Sequence, residues 1–238
     1  MLLNEHLAGV LRHHRPDLLA RQMEAEIRTG MGQLVDLGPA VAIFGTARCA
    51  PGTANYEETK ALASMLAKAG FAIITGGGPG CMQAANEGAV SGGGRSVGVA
   101  IRLQHEEKPN PFQTDSLTHQ LFPTRKVIFW EHASMGVICR PGGLGTLDEL
   151  TEILTLIQCG CAHKVPVILM GVRFWQPFLE FLEKSLLASG YISPGDLELF
   201  TVTDDPHEVV AALVRFRSEQ ETQARVSLEP DPHWWSAR

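Results

Sequence analysis

Several signatures are missing from this sequence of 238 residues, and each absence removes a class of function. There is no basic excess: 20 Lys and Arg stand against 26 Asp and Glu, a formal charge of −6, which argues against a general nucleic-acid binder. That balance leaves the binding of one small anion open, because backbone amides and nearby side chains decide it. No apolar run approaches the ~18 residues of a membrane span; VPVILMGV at 165–172 is typical of the longest. Glu5 and basic residues interrupt any secretory core in MLLNEHLAGVLRHHRPD, so a cytoplasmic location is expected. The five cysteines include no C-x-x-C, and only Cys159 and Cys161 are close, so reduced thiols are expected. The nine histidines form no H-E-x-x-H, and HEE at 105–107 is only a fragment of one, so no metal is expected.

What the chain does have is glycine, 24 residues or about 10% against a usual ~7%, with no collagen-like period. Much of it punctuates an alternation of short apolar strands and amphipathic helices. Strands are predicted at 40–45, 71–78, 96–101, 135–139, 165–170 and near 199–202. Helices are predicted at 56–69, 80–90, 125–134, 146–158 and 174–188, and from Pro206 onward. This rhythm implies right-handed βαβ units, and continuously apolar strands imply a sheet covered twice. The expected fold is therefore α/β: a Rossmann-like parallel β-sheet flanked by helices on both faces. Residues 1–39, helical over 5–36, read as an extension packing on a main domain at 40–224, and residues 225–238 as a polar tail containing Trp234 and Trp235. Residues 102–124 break the rhythm and are too long for an idle connection, so a substrate-facing loop is expected there.

Ligands of open parallel sheets bind beyond the carboxyl ends of the strands, and three glycine features fall there. They are Gly45-Thr46-Ala47-Arg48, Gly76-Gly77-Gly78-Pro79-Gly80 and Pro141-Gly142-Gly143-Leu144-Gly145-Thr146. Glycine lets several N–H groups converge on an anion, and helix starts add their dipole. One such turn would be only a tight connection; three on one edge point to a phosphate-bearing ligand. The dinucleotide pattern G-x-G-x-x-G fails, since Cys81 takes its last position when it starts at Gly76, and no P-loop occurs. A smaller phosphorylated ligand is therefore favoured over a dinucleotide or ATP.

Two further features are ambiguous on sequence alone. Glu149 follows Thr146 by three residues, the spacing of a capping box, yet it would also project beside a bound ligand. Arg125-Lys126 opens a helix, where a basic pair opposes the dipole at a small cost that asks for a reason.

Together, GGGPGCM at 76–82, RK at 125–126 and PGGLGTLDE at 141–149 resemble the Lonely Guy (LOG) family of cytokinin riboside 5′-monophosphate phosphoribohydrolases, which often carry lysine-decarboxylase-like labels. The resemblance spans roughly residues 40–190 and extends to related nucleotide 5′-monophosphate nucleosidases. It implies hydrolysis of the N-glycosidic bond of a nucleoside 5′-monophosphate, no cofactor, and a homodimer or larger homo-oligomer. Carried over, the catalytic residues fall on Arg125 and Glu149. Substrate-binding positions fall on Gly45, Thr46, Gly77, Gly78, Gly80, Met82, Lys126, Gly142, Gly143, Gly145 and Thr146. Phe122-Pro123-Thr124 precede Arg125 where shorter members have Met-His-x, and Arg140 stands where an apolar residue is commoner, either adding charge to the phosphate site or facing solvent. The alternative is a Rossmann-like module that binds a nucleotide or cofactor without cleaving it.

Overall fold

The computed structural model describes residues 16–102 and 109–228; the first residues of the expected N-terminal helix, the HEE fragment and the two tail tryptophans lie outside them. Seven parallel strands form one sheet: β1 Ala40–Phe44, β2 Ala72–Thr75, β3 Ser96–Ile101, β4 Asp115–His119, β5 Gly136–Cys139, β6 Val167–Met170 and β7 Thr201–Thr203. Their order is β4-β3-β2-β1-β5-β6-β7. The chain winds outward from β1 to β4, then returns to the other side of β1, where Phe44 pairs with Cys139 of β5. The direction of winding therefore reverses between β1 and β5, the place where such sheets open a crevice.

The helices are α1 Pro16–Gln33, α2 Ala54–Lys68, α3 Cys81–Ser91, α4 Phe122–His132, α5 Leu144–Gln158, α6 Val172–Phe181 and α7 Pro206–Leu228. Strand residues alternate between two cores. Ala40, Ala42 and Phe44 face Ile128 of α4, Leu150 of α5 and Trp175 of α6, while Val41 and Ile43 face Leu62 of α2, Ala85 of α3 and Leu213 of α7. The expected Rossmann-like sheet with helices on both faces is what the chain forms. None of the helices among the described residues is long and apolar enough to cross a membrane.

The expected loop at 102–124 is corrected in its second half. Asp115–His119 is an edge strand, paired with β3 from Val97↔Asp115 to Ile101↔His119. Only Leu117 and His119 are buried in it, so the DSLTH pattern is too short and too polar to stand out from a loop. At the far end, α7 continues to Leu228, taking in the first residues assigned to the tail.

Candidate functional site

The three glycine turns meet at the carboxyl ends of β1, β2 and β5, and the backbone of Thr46 ties them together. Its N–H donates to Pro141 O at 3.0 Å, and its carbonyl accepts the Cys81 N–H at 2.9 Å. Above this junction lies a cavity of about 840 Å³, within the ~300–1,000 Å³ of ligand sites. Gly45, Thr46, Met82, Arg125, Gly142, Gly143, Gly145, Thr146 and Glu149 all line it, together with Gly76 and Arg48.

Glu149 resolves the first ambiguity. Helix α5 begins three residues earlier than a capping box on Thr146 requires: Gly143 is its N-cap, with no side-chain cap bond. Thr146 is thus already inside the first turn, and Glu149 caps nothing. The first amides of α5 have no acceptor within the helix and lie on the cavity side, as Gly143, Leu144, Gly145 and Thr146 all line it. Close approach makes glycine necessary at 142, because a Cβ there would strike the Thr146 side chain.

Glu149 is only 6% exposed, and its Oε2 is buried without a hydrogen-bond partner. Burial pushes its carboxyl up to about 7, against the opposing pull of the Arg125 and Lys126 cations. A buried polar atom with no partner is costly, and such groups gather at functional sites. Arg125 is held on three sides. Its Nε donates to Val99 O at 2.8 Å, its guanidinium carbon stands 5.0 Å from the Phe129 ring centroid, and its Nη2 occupies the space a Cβ on Gly76 would need. Burial works to lower its pKa while Glu149 and Asp148 work to raise it. The pair sets a charge-stabilising cation beside a carboxyl that can ionise near neutrality.

The raised carboxyl carries a stability signature. The folded state holds its Glu149 proton to about pH 7, whereas an unfolded chain loses it near 4.5. Stability from this group is therefore greatest below pH 4.5 and falls as pH rises to 7, by about 3 kcal/mol in the limit. Glu149→Gln is expected to be more stable than the natural chain at pH 8 by about 1–3 kcal/mol, and to lose that advantage below pH 4.5. Urea unfolding at the two pH values measures it.

Four expected binding positions lie off the cavity lining, each for a visible reason. Gly77 and Gly78 turn their carbonyls toward the Asn110 side chain, whose Nδ2 donates to them at 3.1 and 3.0 Å, and Gln113 Nε2 also donates to Gly77 O at 2.9 Å. Gly80 packs on the backbone of Thr46 and Ala47. Lys126 pairs with Asp148 at 2.8 Å and Glu152 at 3.0 Å on α5, which explains half of the basic dipeptide. Although burial lowers its pKa, those two carboxylates hold it above the ordinary value. Asn110 and its buried partner Asn86 are positions that sequence reasoning missed; they brace the second glycine turn from behind.

Arg140 is a correction to both expectations. It turns away from the cavity and away from solvent, donating to Thr59 Oγ1 at 3.2 Å, Asn55 Oδ1 at 3.1 Å and Glu58 Oε2 at 2.6 Å. The polar face of α2 draws it in. Since Glu58 is 63% exposed and can rehydrate, Arg140→Ala is expected to cost about 1–3 kcal/mol rather than the larger toll of a fully buried pair. A lowered urea midpoint checks this. Among the described residues, no group of His, Cys, Asp and Glu is arranged to hold a metal.

Fold and site define a parallel α/β protein whose sheet edge carries a cavity lined by three glycine turns, Arg125 and the buried Glu149. The chain belongs to the family described as "possible lysine decarboxylase", whose model matches residues 82–213, and its relatives include LOG proteins. The cytokinin riboside 5′-monophosphate phosphoribohydrolase LOG of Oryza sativa subsp. japonica is 28% identical over 178 residues, 71% of this chain and 70% of that protein. The cytokinin riboside 5′-monophosphate phosphoribohydrolase of Mycobacterium tuberculosis is 28% identical over 183 residues, 72% of this chain and 91% of that one. Among solved structures, the molybdenum cofactor carrier protein of Chlamydomonas reinhardtii aligns with a TM-score of 0.55 at 22% identity, over 76% of this chain and 98% of its own. That likeness establishes the shared fold.

Proposed function

We propose that this chain hydrolyses the N-glycosidic bond of a nucleoside 5′-monophosphate, a cytokinin riboside 5′-monophosphate or an AMP-type nucleotide, giving free base and ribose 5-phosphate. The observation that carries the proposal is Glu149, a buried carboxyl with one unpartnered oxygen on the helix whose first amides face the same cavity. The phosphate would rest on the turn of Gly142, Gly143, Gly145 and Thr146, supplying binding energy remote from the bond that breaks. Cleavage passes through an oxocarbenium-like ribose. The ionised Glu149 stabilises that charge and takes a proton from the attacking water, whose oxygen bonds to C1′ as the C1′–N bond breaks; the base leaves with the bonding electrons and takes up a proton from solvent, to which Glu149 returns the one it received. Arg125 stays charged at neutral pH and stabilises the negative charge gathering on the departing base. No cofactor takes part.

The family's description suggests a second chemistry, decarboxylation on a Schiff-base lysine. Such a lysine must lose its proton easily, and Lys126, the lysine beside the site, is held protonated by Asp148 and Glu152. Lys126 does not fit that chemistry. A carrier, as the molybdenum cofactor neighbours are named, has no use for an unpartnered carboxyl on the cavity that Arg125 also lines. A homodimer or larger assembly belongs to the same proposal. Phe122, Leu144 and Phe174 stand exposed around the cavity, apolar surface that supports it, and light scattering measures the state.

The test is incubation with a panel of nucleoside and cytokinin riboside 5′-monophosphates, with free base read by chromatography. Release from at least one is expected, and AMP is expected to exceed adenosine in kcat/KM by about 10²-fold or more, because adenosine forfeits the phosphate contacts. If no member of the panel yields base, hydrolysis is excluded and the non-catalytic alternative takes its place.

A further inference from the structure

Glu26, remote in sequence from every glycine turn, holds the start of the helix that carries Arg125. The N-cap of α4, Leu121, offers no side-chain cap. The Glu26 carboxylate ties down the chain entering the helix instead: the Gln120 and Leu121 N–H groups donate to its two oxygens at 3.2 and 3.3 Å, and Thr124 Oγ1 donates to Oε2 at 2.5 Å. Thr124 is fully buried and directly precedes Arg125. His119, at the end of β4, completes the cluster with Nδ1 3.2 Å from Thr124 Oγ1 and 3.4 Å from Glu26 Oε2. Burial pushes the imidazole below its ordinary pKa against the pull of Glu26. Burial also works to raise the Glu26 carboxyl, but the bonds from Thr124, Gln22 and two backbone amides hold it below the usual range. The group is a carboxylate, and a negative charge there offsets the cost of a cation in the first turns of α4.

Four residues along each helix, the contact repeats in another form. Gly30 of α1 lies so close to α4 that a Cβ would stand 2.6 Å from Ile128 Cδ1. Thr124 and Ile128 lie one turn apart on α4, as Glu26 and Gly30 do on α1, so the two helices are fixed in both axial position and approach. From the other side, β3 holds Arg125 itself through the bond from its Nε to Val99 O. The first turn of α4 is therefore clamped between the N-terminal helix and the sheet.

We propose that Glu26 is a positioning residue for Arg125: its bonds to Gln120, Leu121 and Thr124 set where the guanidinium stands in the cavity. That Arg125 works on a nucleoside monophosphate belongs to the function proposed above, and the test separates the two. Glu26→Gln keeps the shape but presents an amide to the four donors, Gln22, Gln120, Leu121 and Thr124, that now find a carboxylate. T124V, nearly isosteric, breaks the cluster from the other side and serves where E26Q does not fold.

The first measurement needs no ligand. Exchange of the Arg125 Nε–H with solvent, followed by 15N NMR and assigned by its loss in R125K, is expected to speed up by about tenfold or more in E26Q and in T124V. Unchanged exchange in the folded variants overturns the proposal whatever the enzyme does. The second is a double-mutant cycle on AMP cleavage. E26Q is expected to lower kcat by about tenfold or more with KM little changed, and to add no further loss in an R125A background. An equal loss in both backgrounds means that Glu26 supports the fold generally and not Arg125, which also overturns it. If the natural chain cleaves no AMP, the hydrolase proposal has failed on its own, and the exchange measurement alone decides the role of Glu26.

Discussion

Glu149→Gln is expected to lower turnover of a nucleoside monophosphate by about 10²–10⁴-fold, the usual worth of a positioned acid–base group, while leaving AMP affinity within a few fold. Gln fills the same volume in a site only 6% exposed, so the cavity keeps its shape. What it removes is the negative charge opposite the forming oxocarbenium and the acceptor for the proton of the attacking water. The pH profile should carry the same mark. Burial pushes the Glu149 carboxyl up to about 7, and the ionised form is the working one, so kcat in the natural chain should rise with pH through about 7. The limb should be absent in the residual activity of E149Q. A variant with natural turnover, or with the limb intact, removes Glu149 from the chemistry. The expected gain in stability at pH 8 makes the pattern sharper, because the same substitution then strengthens the fold and slows the reaction. A buried carboxyl kept for function, at a cost to the folded state, behaves in this way.

The frame was legible in the sequence because apolar strands such as AVAIF and VILM are buried at every position, which marks them without any tertiary knowledge. β4 was not, because an edge strand covered at only two of five positions carries almost no periodic signal. The glycine turns announced an anion site, yet glycines of one motif serve different ends. Gly142 and Gly76 make room at the cavity, whereas Gly77 and Gly78 present carbonyls to Asn110. The T-x-x-E spacing pointed to a helix cap at the residue that in fact stands free, since the helix had begun three residues before. Glu26 was invisible to any local pattern. Ninety-eight positions separate it from Thr124, and only the packing of α1 on α4 joins them. Long-range polar contacts of this kind leave no period to read, which also explains the placement of Arg140 against α2.

Gly76→Ala is expected to cut turnover by about 10²-fold, the effect of an ångström-scale misplacement, with the melting temperature little changed. The new Cβ would meet Arg125 Nη2 and stand 2.7 Å from Met82 Sδ. Both are the far ends of flexible side chains, so the strand end can keep its course. Backbone strain adds little, since Gly76 is not among the glycines with positive φ, and the lost freedom of the unfolded chain favours the variant by about 0.4–1 kcal/mol. For Arg125, however, yielding has a cost to its placement. Its Nε is bound to Val99 O and its plane stands over Phe129, so yielding to the methyl group means leaving the orientation in which it faces the ligand. Gly142→Ala presents the opposite case. There the Cβ would lie 2.6 Å from Thr146 Cβ, a branched residue fixed on a helix, so the loop backbone has to move instead. AMP affinity and stability should then fall together, the latter by about 1–3 kcal/mol as in other overpacked sites. Calorimetric titration with AMP, steady-state kinetics and thermal unfolding of the two variants separate a displaced arginine from a broken phosphate loop. Natural turnover in G76A would mean that the Arg125 guanidinium does not act on the substrate.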